Sequence, residues 1–378
     1  MLDVIVVGAG PSGSYASHLL SKSGFSVLNL EEHKEVGKPV ECTGLVSQRV
    51  FSMVKSGSRV NDVTGATVYF PGGGSIHVEK TEKTIVMDRD SFDKDVSAMA
   101  ISSGADLKIN ARVIAVKKDS KGIDVTYREN GERKNARSHI IIGADGINSR
   151  VRKELFQERP GRIVSAYQVD SAHRMEDQDS VEVYLGSEYS SGFFGWTAPS
   201  GNITRIGVAS YRSAAIKHFL RLNSRFPPNK IIGINGGSIP ISHVKRTYSD
   251  NAILVGDAAG IVKPLSGGGI YTGMVSASHA ARASIESLES EDHSSRFLSR
   301  YEKYWKSDIG MELAIDGIVQ RYLFSMRDSA LRNIYDILSK PSNISLINRL
   351  GDIDYPSRIV FAMLIRNPSL VGHLLLRR

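Results

Sequence analysis

The chain has 378 residues, a single cysteine and a formal charge of +8, and these figures exclude several classes of protein at once. One cysteine, Cys42, rules out an internal disulfide and a cysteine-cluster metal site, and no stretch reaches the ~18 uninterrupted apolar residues of a bilayer-spanning helix. The length predicts two or three domains, hydrophobic content of 41% with 35 glycines an α/β protein, and the lone cysteine a cytoplasmic one with no metal, while basic residues scattered along the chain point to an anionic membrane face or a phosphorylated ligand, not to nucleic acid.

Residues 3–7 read as a buried strand that runs into Gly8-Ala9-Gly10-Pro11-Ser12-Gly13 and then a helix; a second strand, 25–30, stops at Glu31. This is the plan of a dinucleotide-binding unit. Gly8 permits the tight turn, Gly10 leaves room for a pyrophosphate, and Gly13 lets the helix close on the strand. Glu31, 23 residues after Gly8, falls where a carboxylate accepts ribose hydroxyls. A unit starting at residue 3 leaves no length for a signal peptide. The polar loop 33–44 is expected to reach back over the ligand, so Cys42 reads either as a site residue or as a small buried hydrophobe. Residues 66–70 and 75–78 make a predicted hairpin around 71–74, with 84–86 as a separate strand. Ser91 is the expected N-cap of a helix over 92–102. Arg89, just ahead of it, reads either as a contact to ligand oxygens or as an ion-pair partner of Asp88 or Asp90.

Three strands follow, over 106–116, 123–128 and 139–142, and the last ends in Gly143-Ala144-Asp145-Gly146 at the ligand-binding edge of the sheet. From 162 to 246 the texture changes to alternating strands, 163–170, 181–185, 193–196 and 203–210, interrupted by a helix over 213–225 before Pro227-Pro228. Tyr184, Tyr189, Phe193, Phe194, Trp196 and Tyr211 cluster there, as core or as the wall of a substrate pocket. A further buried strand, 252–255, ends in Gly256-Asp257, and Pro264-Leu265-Ser266-Gly267-Gly268-Gly269-Ile270 opens a helix that runs to about 288. That spacing presents Asp257 to a sugar-alcohol chain and backbone N–H groups to a ring edge. The tail from 294 is helical. Its end, 358–366 and 370–376 with Arg377-Arg378, is apolar with basic flanks and reads as docking on the body or as contact with a membrane surface. The expected domains are 1–161 with 247–290, an inserted 162–246, and a helical 291–378.

Gly8-x-Gly10-x-x-Gly13, Glu31, Arg89, Gly143-Ala144-Asp145-Gly146 and Gly256-Asp257, in this order, resemble FAD-dependent oxidoreductases of the p-hydroxybenzoate hydroxylase fold. More narrowly, the chain from Met1 to about Leu288 is similar to the geranylgeranyl reductase family, in particular archaeal digeranylgeranylglycerophospholipid reductases. The narrower match rests on Glu35-Val36-Gly37-Lys38-Pro39-Val40-Glu41-Cys42, on Asp88 to Lys94, on Tyr184-Leu185-Gly186-Ser187, and on Asp257-Ala258-Ala259 through Ile270. The resemblance implies an α/β fold: a Rossmann-type FAD-binding domain with an inserted antiparallel-sheet substrate domain and a helical C-terminal tail. Carried over position by position, FAD contacts fall on Gly13, Glu31, Cys42, Thr43, Gly44, Arg89, Val113, Asp257, Gly269 and Ile270, joined by Gly8, Gly10 and Gly268 of the glycine turns. The family's Tyr-x-Trp-x-Phe-Pro element stands here as Phe194-Gly195-Trp196-Thr197-Ala198-Pro199, so the pocket differs in shape. The implied activity is saturation of C=C bonds in a prenyl lipid. Cys42 and Trp196 are the catalytic candidates, Tyr184, Phe193, Phe194 and Trp196 the substrate wall. NAD(P)H or reduced ferredoxin is the implied electron donor, and a peripheral membrane contact is compatible with the reaction. The alternatives are a monooxygenase or hydroxylase of the same fold and a non-catalytic prenyl-binding protein; a halogenase would need a Trp-x-Trp-x-Ile-Pro element, and the single Trp196 here argues against it.

Overall fold

Val4, Ile5 and Val6 are branched, apolar and fully buried, as a central strand covered on both faces requires. In the computed structural model, which describes residues 1–211, 214–226 and 230–370, this strand is β1 (Leu2–Val7), followed by α1 (Pro11–Lys22) and β2 (Val27–Leu30). Then come β3 (Leu45–Ser47), α2 (Gln48–Met53), β4 (Arg59–Tyr69), β5 (Ser75–Met87), α3 (Arg89–Ser102), β6 (Asp106–Lys108), β7 (Ala111–Asp119), β8 (Gly122–Glu129) and β9 (Glu132–Gly143). The middle of the chain gives β10 (Ile163–Ser171), β11 (Ser180–Tyr184), β12 (Gly195–Ser200), β13 (Ile203–Ser210), α4 (Ala215–Asn223), β14 (Ile231–Pro240), β15 (Tyr248–Ser249) and β16 (Ala252–Leu254). It closes with α5 (Gly256–Ala259), α6 (Ile270–Glu289), α7 (Ser295–Trp305), α8 (Met311–Leu323), α9 (Asp328–Leu338), α10 (Pro341–Leu350) and α11 (Ser357–Arg366).

The first sheet runs β15-β16-β9-β1-β2-β6, with β8 and β7 attached through the start of β9. β1 pairs in parallel with β2 on one side and β9 on the other. The winding therefore reverses at β1, and a crevice opens beyond its C-terminal end. α1 packs between α3 and α6 on one face of this sheet.

The second sheet has the order β14-β10-β13-β12-β11-β4-β5-β3 and is antiparallel except for β11 against β4. It is not confined to 162–246, as the sequence predicted: β3, β4 and β5 come from residues 45–87. Residues 84–86 are the end of one 13-residue strand, β5, and not a strand of their own. Other boundaries move for local reasons. Asn110 takes φ +51° and breaks 106–116 into β6 and β7. The N-cap of α3 is Asp88, whose carboxylate accepts from the Asp90 N–H at 3.1 Å, while Ser91 donates its hydroxyl to the same carboxylate at 2.7 Å. The helix therefore starts at Arg89. β12 begins at Gly195, leaving Phe193 and Phe194 in the bend before it. Of the helix predicted over 213–225, α4 covers 215–223; Ser213 and Pro227-Pro228 lie outside the described residues.

α4 covers one face of the second sheet with Phe219 and Leu222, packed on Tyr184, Ile206 and Val208. The tail docks on the β4–β5 end, where Leu331, Ile334, Leu346 and Met363 bury Phe70, Ile76 and Leu185. Residues 371–378 lie outside the described residues. Among the described residues no helix is long and apolar enough to cross a membrane.

Candidate functional site

The crevice at the end of β1 is one wall of a cavity of about 940 Å³, and the second sheet is the other. Close backbone packing dictates two of the three motif glycines. A Cβ on Gly8 would stand 2.4 Å from the Ala144 carbonyl oxygen, and one on Gly13 would stand 2.0 Å from the Gly8 carbonyl oxygen. Gly10 has nothing within 4 Å of such a carbon, because it faces the cavity. Gly10 is also the N-cap of α1 and supplies no side-chain acceptor, so the first-turn amides remain available to an anion. Gly269 stands in the same relation to α6. Two helix N-termini thus open on one cavity.

Acidic groups mark the cavity's length. Glu31, at the end of β2, accepts from Ala9 N–H at 2.8 Å and from His33 N and Nδ1 at 2.9 and 2.7 Å. Asp257 is half-buried on the cavity wall, and its carboxylate has no hydrogen-bond partner among the described residues. Burial lifts it above the ordinary carboxylate range, against the pull of the Arg89 charge. Its Oδ1 would lie 2.9 Å from a Cβ on Gly269, so only glycine there leaves the carboxylate its place. Asp145, in the predicted turn, is instead committed locally: its Oδ2 accepts from Arg150 and Val151 N–H at 2.6 and 3.2 Å.

Arg89 lines the cavity, as a contact to ligand oxygens requires, but its ion-pair partner is not the one read from the sequence. It forms a bidentate pair with Asp93, at 3.0 and 2.9 Å, and not with Asp88 or Asp90. Burial opposes its charge, but Asp93 and the neighbouring Cys42 more than offset that, so the guanidinium titrates above its usual range. The loop 42–44 crosses between the sheets. Cys42 Sγ accepts from Gly44 N–H at 3.2 Å, and the Thr43 hydroxyl donates to Gln168 Oε1 at 2.6 Å. Arg205 of β13 holds the Thr43 carbonyl from the other sheet. Cys42, Thr43, Gly44, Val113, Gly268, Gly269 and Ile270 all line the cavity.

The second sheet brings an apolar wall. Trp196 lies flat over Gly207, where a Cβ would stand 2.2 Å from the indole, and its Nε1–H donates to Gln168 Oε1 at 3.1 Å. Phe193 and Phe194 stack at 4.5 Å and meet Phe324 of the tail at 5.3 and 5.9 Å. Phe193, Phe194 and Trp196 reach the cavity; Tyr184 does not. Register explains this, because Val183 pairs with Trp196, which puts Tyr184 on the opposite face. There Tyr184 stacks on Tyr69 at 4.9 Å and donates its hydroxyl to Glu182.

Two cavity residues, Gln168 and Lys263, and Arg205, which holds a lining loop from behind, escaped the sequence reading. Gln168 and Arg205 are polar residues in strands, which read as solvent-facing. Lys263 donates to the Ile353 carbonyl and to Asp354 Oδ1, each at 2.8 Å, and so ties the cofactor-side glycine loop to the tail. The one available signal was its place directly before Pro264, where the turn into α6 begins.

A family model described as an FAD binding domain matches residues 1–231. Digeranylgeranylglycerophospholipid reductase 1 of Methanococcoides burtonii is 30% identical over 353 residues, which is 88% of this chain and 86% of that protein. The digeranylgeranylglycerophospholipid reductase of Thermoplasma acidophilum is 30% identical over 364 residues, 89% of this chain and 91% of that one. Among solved structures, a geranylgeranyl bacteriochlorophyll reductase-like protein from Thermoplasma acidophilum matches with a TM-score of 0.89 at 26% identity, covering 99% of this chain and 98% of that one. A flavin-dependent brominase matches with a TM-score of 0.73 at 17% identity over 97% of this chain and 99% of its own, a likeness of fold alone.

Proposed function

Because the chain belongs to the family of FAD-dependent digeranylgeranylglycerophospholipid reductases, we propose that it saturates C=C bonds of geranylgeranyl chains in the synthesis of membrane lipids. The observation that carries this reading is convergence: Gly10, Asp257 and Gly269 line the same cavity as Phe193, Phe194 and Trp196. A polar cradle for a dinucleotide therefore opens directly onto an aromatic wall.

The residues fit FAD. Glu31 is assigned to the ribose, Gly10 and the first turn of α1 to the pyrophosphate, and the unpartnered Asp257 to the ribityl hydroxyls. Loop 42–44 and Gly268-Gly269-Ile270 flank the ring. FAD, once reduced by an external donor such as NAD(P)H or ferredoxin, supplies the hydride equivalent that an unactivated alkene needs. The π bond breaks, one carbon takes that hydride and the other a proton. An isolated alkene has no carbonyl to polarise, so positioning and exclusion of water are the protein's share. Phe193, Phe194 and Trp196 hold the chain, with Gln168 fixing the indole. Cys42, lining the cavity beside Arg89, is assigned the proton.

The test is anaerobic. Holoprotein reduced with dithionite is mixed with a geranylgeranyl lipid under argon. Flavin absorbance is expected to return as the lipid gains two hydrogens per double bond; a product that forms only when oxygen is admitted would make the protein a monooxygenase instead. A peripheral contact with the membrane that holds the substrate belongs to the same reading.

A further inference from the structure

We propose that α11 and the rim loop before it are the surface by which this protein docks on an anionic lipid bilayer, with the cavity mouth held at the interface. The proposal rests on the prenyl-lipid reading for its purpose and on the following geometry for its location.

α11 carries apolar residues on two sides. Its inner side, Ile359, Ala362, Met363 and Leu364, packs into the tail cluster. Arg358, Phe361 and Ile365 are three and four residues apart and so share the outer side. Phe361 is 51% exposed and Ile365 81%, the most exposed large apolar side chain among the described residues. A lone exposed isoleucine means little. Here it sits in a helix without a single acid, flanked by Arg358 and Arg366, neither of which has a carboxylate partner among the described residues. From Lys340 to Leu370 the sequence holds two acids, Asp352 and Asp354. Both are already engaged, by Arg49 and by Lys263. Lys340, Arg349, Arg358 and Arg366 are left without compensation. Apolar side chains framed by free arginines fit phosphate headgroups over acyl chains.

The position is as informative as the chemistry. Ile353 lines the cavity, is 43% exposed, and its carbonyl accepts from Lys263. α11 starts four residues later, with Ser357 N and Oγ fixed on Glu312 of α8 at 2.9 and 2.7 Å. The helix is therefore rigidly attached to the rim. A prenyl chain leaving the bilayer there enters the cavity without crossing water. A second copy of this chain is the poorer occupant, because two like-charged stripes repel and one helix face falls short of the ~800 Å² per partner of a stable interface.

The test is co-sedimentation of FAD-loaded protein with vesicles of phosphatidylglycerol and phosphatidylcholine in equal parts, against phosphatidylcholine alone. Binding to the anionic vesicles only, weakening as salt rises, is expected. The double variant Phe361→Glu/Ile365→Glu is expected to lose at least about tenfold in partition while reducing a detergent-dispersed prenyl alcohol at the parent rate; Leu220→Glu, on the exposed side of α4, is the control and keeps parental binding. The proposal is overturned if the parent ignores anionic vesicles, if the double variant binds as the parent does, or if its only effect is to split a dimer. Vesicle binding without any prenyl reduction would leave the docking surface standing and remove the reductase reading alone.

Discussion

Gly10 and Gly13 lie three residues apart, and the space around them is opposite. Gly10→Val adds a side chain into the open cavity, where nothing stands within 4 Å of its Cβ, so the unliganded fold is expected to lose only the cost of a poorer N-cap, about 1 kcal/mol or less, while flavin is lost on purification. Gly13→Ala drives a methyl against the Gly8 carbonyl oxygen, 2.0 Å away, and is expected to destabilise the protein itself by about 1–3 kcal/mol. Thermal melts of flavin-free protein with the visible spectrum of each variant separate the two; a Gly10→Val protein that stays yellow would remove Gly10 from the cradle. Trp196 works at the other wall. Its indole and the Thr43 hydroxyl converge on Gln168 Oε1, so it is seated by hydrogen bonding as well as by packing over Gly207. Trp196→Ala is expected to lower turnover of a long prenyl lipid by about 10²-fold with flavin content unchanged, and unaltered kinetics would take Trp196 out of the substrate wall.

At the scale of elements, α8 carries an acid whose titration reports on the glycine loop. Burial pushes the Asp316 carboxyl up to about 7, against the opposing charge of Lys263 and the backbone N–H of Leu265. The folded protein keeps this proton up to about pH 7, whereas the unfolded chain releases it near pH ~4. The folded state thus binds more protons between those values, and stability falls as pH rises through that window. Asp316→Asn removes the penalty. Denaturant unfolding of flavin-loaded protein is expected to show parent and variant alike near pH 4 and the variant more stable at pH 8, by up to about 4 kcal/mol; a variant weaker at pH 8 would mean that Asp316 is an ionised partner of Lys263. Elements of this kind differ in how far the sequence discloses them. β1, α1, β2 and α6 carry their own periodicity and punctuation, and were legible. The membership of β3 to β5 in the second sheet was not, because it depends on parallel pairing of β11 with β4 across more than 100 residues of chain. Tyr184 failed for a smaller reason. One step of register decides which face a strand residue takes, and composition alone grouped it with Trp196. Gln168 and Arg205 were hidden because a polar strand residue looks solvent-facing until a second wall is built over it.

For the whole molecule, the cavity exists only because two sheets clasp it, and few contacts fasten the clasp across loop 42–44. Arg205, buried in β13, reaches the carbonyls of Thr43 and Met87, and its Nε stands 3.6 Å from Asp170. Removing Arg205 alone would strand the Asp170 charge, so the informative change is Arg205→Met together with Asp170→Asn, which removes both charges and leaves the loop carbonyl unheld. FAD bound at about a hundred times its Kd stabilises the folded state by about 2.7 kcal/mol through mass action. If loop 42–44 closes over the flavin, as its place on the cavity wall suggests, freeing it costs roughly one charge-assisted hydrogen bond, about 1.5–3 kcal/mol, and raises the Kd for FAD about tenfold or more. The paired variant is therefore expected to show a much smaller rise in Tm on adding FAD than the parent at the same concentration, with the flavin-free Tm as the baseline for each. Equal rises in the two proteins would mean that the second sheet is a wall only, and that cofactor affinity resides entirely in the sheet built on β1.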